Sequence, residues 1–165
     1  MIFKKKHNHD LYNTLLHLSR NIFFYKKVEL ADNFENRIYL MLFHFSILLK
    51  IYKKKGIKFD QDSYDSLFFD IENNLRESGL GDVAVNTKMK LLNKVLYDIL
   101  LKFELEESNT KFLINKKVVI KYFRDLEVEN IDKYKHFETY FTKFYYFCFE
   151  LPMDNMILGS LNFEI

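Results

Sequence analysis

Four glycines and one proline in 165 residues leave this chain almost without turn chemistry. A sandwich or barrel of short strands needs punctuation every ~8–12 residues, so the scarcity excludes those architectures and points to long helices. Hydrophobic residues make up 48% of the chain, enough to bury a sizeable core and to exclude global disorder. The expected fold class is all-α: a single compact bundle of about five to six helices over residues 10–165, preceded by a basic leader over 1–9.

The spacing of apolar residues places the helices. Leu11, Leu15, Leu18 and Ile22 share one face of a first helix over about 10–25. A second, over about 33–54, carries Phe34, Ile38, Met41, Leu42, Phe45, Leu48, Leu49 and Tyr52; it is apolar nearly all round, which puts it at the centre of the bundle. Asp32 is positioned to accept from its free amides, and Lys53-Lys54-Lys55-Gly56 closes it with cations and then a glycine. A third helix, over roughly 61–78, stops at Gly79, and Gly79-Leu80-Gly81-Asp82 reads as a tight loop. Asn86 or Thr87 is expected to cap a fourth helix over about 87–105. Lys117 to Phe123 is β-branched enough for a strand but has no second strand to pair with, so it is assigned helix. A last helix over about 132–150 ends at Pro152, and the tail after it is apolar enough to pack back on the body.

No catalytic or cofactor chemistry emerges. His7 and His9 follow Lys4–Lys6, whose charge would repel a cation, and no histidine pair has zinc spacing. Asp60-Gln61-Asp62 opens like a calcium loop but fails at Tyr64, Asp65 and Ile71. Cys148, the single cysteine, sits among aromatics that would raise its pKa. The glycine loop lacks the lysine and the length of a phosphate-binding loop. An enzyme is not expected, nor a metal or cofactor. The longest apolar stretch, Ile38 to Leu49, falls short of the ~20 residues of a membrane span. With no signal peptide and a lone thiol, the expected location is a reducing cytoplasm.

Two surfaces could still bind. Lys4–Lys6, Lys53–Lys55 with Lys58, and Lys88 with Lys90 are basic clusters, the basis of an alternative reading as a lysine-rich RNA- or ribosome-binding module. Yet the chain holds 4 arginines against 21 lysines, and a net charge of +2 does not by itself advertise nucleic acid, so no specific DNA partner is expected. The other surface is aromatic. Tyr146 and Phe149 lie off the core stripe of the last helix and need covering by the tail, a partner or a membrane surface.

The third helix and its loop read Phe69-Asp70-Ile71-Glu72-Asn73-Asn74-Leu75-Arg76-Glu77-Ser78-Gly79-Leu80-Gly81-Asp82, followed by Val85 and Lys88-Met89-Lys90. Upstream stand Phe24-Tyr25, then Arg37 and His44 on the long helix. This pattern resembles the ubiquinol-cytochrome c chaperone family, which includes the mitochondrial cytochrome b chaperone, over roughly residues 11–105. The string from Leu75 to Asp82 is its most specific part. One departure is Leu96-Tyr97-Asp98-Ile99, where the family usually has an aromatic, tyrosine, glycine and arginine.

The resemblance implies an all-helical, non-enzymatic assembly factor that binds newly made cytochrome b for the ubiquinol-cytochrome c reductase. Members in mitochondria also work with a small partner subunit near the ribosomal exit tunnel. The candidate partner-binding residues are Arg37, His44, Asp70, Arg76, Glu77, Gly79, Gly81, Asp82, Lys88, Lys90, Tyr146 and Phe149. Arg76 is expected to pair with Glu72 one turn earlier, with Asp70, Glu77 and Asp82 concentrating acid around a glycine hinge near Lys88 and Lys90.

Overall fold

The computed structural model describes residues 9–103, 112–127, 131–152 and 163–164. In chain order the helices are α1 (Asp10–Ser19), α2 (Phe23–Lys26), α3 (Phe34–Lys54), α4 (Gln61–Glu77), α5 (Asp82–Lys102), α6 (Lys116–Tyr122) and α7 (Ile131–Glu150), with a 3₁₀ turn at Arg124–Leu126. The fold is all-α, and no strand occurs among the described residues. The stretch 117–123, ambiguous by propensity, is helical in α6.

Side chains set the helix ends. Asn33, not Asp32, caps α3, its amide oxygen accepting from the Asn36 N–H at 2.8 Å. Asp32 is taken by Arg37 instead. Asp60 accepts from the Ser63 N–H at 2.9 Å to start α4, and Asn115 accepts from the Lys117 N–H at 3.0 Å to start α6. At the end of α3, Gly56 adopts φ 69°, the Gly56 N–H bonds to Lys53 O and the Ile57 N–H to Tyr52 O. That is the paired closure a left-handed glycine permits.

Two boundaries differ from expectation. The first helix stops at Ser19, because the Ser19 hydroxyl turns back to Leu16 O at 2.8 Å and Asn21 accepts from the Phe23 N–H at 3.0 Å. Such local bonds compete with the helical ladder, and the chain restarts as the single turn α2. The fourth long helix begins at Asp82, five residues before the expected start at 87, with Gly81 as its N-cap residue. Asp82 in the first turn complements the helix dipole there, and no capping side chain is needed.

α3 occupies the middle. Every residue from Ile38 to Leu48 is buried, so the helix is enclosed on all sides. α1, α5 and α7 pack directly on it, while α4 closes against α1 and α5. Of the polar residues trapped in α3, Ser46 is satisfied within the helix, its hydroxyl donating to Leu42 O at 2.6 Å. Aromatic rings fill the gap between α3 and the C-terminal elements. Phe43 lies 5.5 Å from Phe103, 5.2 Å from Phe123 and 5.8 Å from Phe137, in edge-on or tilted geometry. Cys148 belongs to this core, and burial pushes its thiol pKa up. Phe34, expected inward, lies outside, 41% exposed. From the tail, Phe163 is buried against Tyr140 and Phe144, while residues 153–162 lie outside the described residues.

Phe43 touches rings from three other segments, so Phe43→Ala leaves a void that helices cannot collapse into. It is expected to lower the unfolding free energy by about 3–5 kcal/mol, read from urea denaturation.

Candidate interaction site

The corner between α4 and α5 is built by Arg76. Its guanidinium reaches Glu72 one turn back at 3.0 Å and, across the loop, the carboxylate of Asp82 at the head of α5. The bond to Asp82, then the one to Glu72, pushes the Arg76 pKa above its ordinary value. One side chain thus ties the end of one helix to the start of the next. α4 ends at Glu77 with Ser78 as its C-cap residue, and Gly79 takes φ 93°, donating to Arg76 O at 3.0 Å. A side chain in that left-handed conformation is strained. Gly81 differs: it sits at φ −71°, ψ 164°, extended backbone open to any residue, and a Cβ there would meet nothing within 4 Å. Only one of the two glycines is demanded by the turn.

The acids around this corner do not gather into one group. Asp70, 8% exposed, faces α1, where His9 Nδ1 lies 2.7 Å and 2.8 Å from its two oxygens. His9, read as part of a loose leader, is the N-cap residue of α1; residues 1–8 lie outside the described residues. Glu77 joins Asp70 in acting on Tyr12, whose pKa is raised first by burial and then by those carboxylates. Asp82 belongs to the Arg76 clamp. Lys88 and Lys90 ride on α5, and neither forms an ion pair with a described acid.

Arg37 and His44 share α3 but occupy different environments. Arg37 holds Asp32 through Nη2 at 2.6 Å and Nε at 2.8 Å, beside the hydroxyl of Tyr25. That hydroxyl donates to Ser19 O at 2.7 Å, so the pair bolts the α1–α3 connector together. His44 is fully buried. Its Nδ1 lies 2.6 Å from Leu40 O, an atom that only accepts, so Nδ1 carries the proton. Nε2 therefore accepts from the Tyr140 hydroxyl at 2.8 Å. The imidazole packs edge-on against Phe24 at 5.9 Å and Phe144 at 4.8 Å. Burial pushes its pKa down to about 3.

On α7, Tyr146 is 40% exposed and its oxygen accepts from the Phe112 N–H at 3.2 Å. Phe149 is half-buried under Lys55, whose Nζ stands 4.7 Å from the ring centre and donates to Phe149 O at 2.6 Å. Part of the Lys53–Lys55 cluster is therefore spent on that ring. Lys4–Lys6 lie outside the described residues.

A cluster that sequence reading missed joins α5 to α6. Asp98 bonds Lys102 and Lys121, each at 2.8 Å, and the Tyr122 hydroxyl donates to it as well. These cations hold its carboxyl well below the usual carboxylate range. The four-residue spacing from Asp98 to Lys102 was a usable signal; the partners on α6 were not, because only folding brings them near. Next to Asp98, Ile99 is fully buried, so the position where the resembled family has arginine is here a core position.

Taken together, these features define an all-α protein, its helices hung on one enclosed helix and its charged corner held by a single arginine. The chain belongs to the ubiquinol-cytochrome c chaperone family, whose model, described as ubiquinol-cytochrome C chaperone, matches residues 26–109, slightly over half of the sequence. The match takes in α3, α4, α5 and the Arg76 corner. No curated protein and no solved structure matches this chain.

Gly79→Ala is expected to cost about 1–2 kcal/mol of stability, and Gly81→Ala less than about 0.5, in parallel urea titrations. A second expectation concerns pH. The unfolded chain takes up a proton near the ordinary histidine value of 6.5 that folded His44 refuses, so this contribution is complete above that pH and is lost as pH falls toward 3. Stability should drop by about 1.4 kcal/mol per pH unit below the ordinary value, and His44→Gln should flatten that slope.

Proposed function

We propose that this chain is a non-enzymatic assembly factor that binds newly made cytochrome b and promotes assembly of the ubiquinol-cytochrome c reductase. The observation that carries the proposal is the family match across α3, α4 and α5, with the Arg76 clamp at its most specific string. A chaperone needs a rigid helical scaffold that presents side chains to another polypeptide, and an enclosed α3 supplies the rigidity. Beside the clamp, Leu80 and Val83 stand exposed, so apolar and charged groups meet at one corner.

In this reading the client-facing groups are Arg76, Glu77, Asp82, Lys88 and Lys90, displayed by the turn at Gly79 and Gly81. Arg37, His44 and Asp70 act by fixing the helices behind that surface. Tyr146 and Phe149 offer a second contact, toward a membrane surface at the inner face or in the matrix. A ribosome contact extends the same reading. No helix among the described residues is long and apolar enough to cross a membrane.

Deletion of the gene should lower spectroscopic b-type haem and the level of the assembled reductase severalfold, while other respiratory complexes lacking cytochrome b persist. Re-expression of Arg76→Glu, folded by circular dichroism, should restore less of the reductase than the native chain does. Unchanged b-type haem in the deletion strain sinks the proposal.

A further inference from the structure

α5 is the long helix with the least cover. Only Val85, Leu92, Val95, Leu96 and Ile99 are buried in it, whereas α3, of the same length, is enclosed. Ala84, Asn86 and Leu91 are among its exposed residues, and a regular series runs beside them. Val83, Thr87, Lys90, Lys94, Tyr97 and Leu101 are all exposed and follow one another at alternating steps of four and three. This is the seven-residue repeat of a helix seam, running about 27 Å along the surface at 1.5 Å per residue. The apolar members lie toward the ends and are strongly exposed: Val83 81%, Tyr97 60% and Leu101 77%. The two lysines lie in the middle, and neither forms an ion pair with a described residue. From Val83 to Tyr97 the helix carries Lys88, Lys90 and Lys94 and no acid.

We propose that this outer seam of α5 is a docking surface for an amphipathic helix of a partner protein, one with apolar residues at both ends of its contact stripe and Asp or Glu at the centre. The inference deepens the chaperone reading, on which it rests for the existence of a polypeptide partner. Seam spacing selects a helix as the occupant, because a partner strand would meet every second residue and not every third or fourth. Charge selects its sign. A second copy of this chain would set Lys90 against Lys94 when antiparallel, or each lysine against its own counterpart when parallel, and both arrangements place like charges face to face at the centre. A helix lying on a bilayer presents an uninterrupted apolar face, which two central lysines break. Carboxylates at the middle of the incoming helix satisfy both lysines, while apolar residues at its ends cover Val83 and Leu101.

The test uses the full chain and two synthetic helices as long as α5, fluorescently labelled. One has leucine at the outer seam positions and glutamate at the two central ones; its twin has lysine in place of the glutamates. The acidic helix should bind about tenfold more tightly than the twin by fluorescence anisotropy. K90E/K94E should invert that preference, and V83S/L101S should weaken both. All four positions are exposed, and circular dichroism checks that the variants fold. Equal binding of the two helices, a preference that K90E/K94E leaves unchanged, or a seam that binds neither because residues of this same chain cover it, would overturn the inference. So would a dimer in sedimentation that L101S dissolves. The readouts separate this inference from the chaperone reading: normal b-type haem on gene deletion removes the latter and leaves seam selectivity standing, whereas unselective binding with lost haem does the reverse.

Discussion

Enclosing α3 is the constraint on which the rest depends. A helix apolar around its whole circumference between Ile38 and Leu48 cannot rest on one neighbour, and it forces α1, α5 and α7 to surround it. Once those three are placed, α4 has only the groove beside α1 and α5, and the tight corner at Gly79 follows from the short distance between α4 and α5. Polar residues inside α3 are tolerated because each finds a partner before reaching solvent: Ser46 within its own helix, His44 with Leu40 and with Tyr140 across the core.

Much of this was legible in the sequence because periodicity reports burial. The central position of α3, the extent of α4 and the last helix all followed from apolar spacing, and Arg76 to Glu72 followed from their separation of one turn. What spacing does not carry is the competition between local polar bonds. Ser19 and Asn21 broke the first helix, and Asn33 displaced Asp32 as a cap once Arg37 claimed the aspartate. The early start of α5 escaped notice because no capping side chain marks it; an aspartate in the first turn and an extended glycine suffice. Pairings distant in sequence, His9 with Asp70 and Asp98 with Lys121, were invisible for a simpler reason: nothing local encodes them.

The candidate site divides into groups with different physical duties. The Arg76 clamp and the Arg37 bolt are exposed ion pairs, where solvent screening keeps each modest in stability, so their value lies in fixing direction. The His44 pair is buried, and there the geometry of two hydrogen bonds fixes the tautomer and holds α7 in register with α3. Exposed groups orient a surface; the buried pair keeps the frame behind it from shifting.

Tyr140 lies well past residue 109, where the family match ends, yet it completes the hydrogen bonding of a histidine inside that match. α7 is thus an integral wall of the segment that the family match covers. A fragment trimmed to the matched region would bare one flank of α3 and strand an imidazole nitrogen in grease, a recipe for aggregation. Sequence drift in that wall is free only to the extent that some hydroxyl still arrives at the same spot.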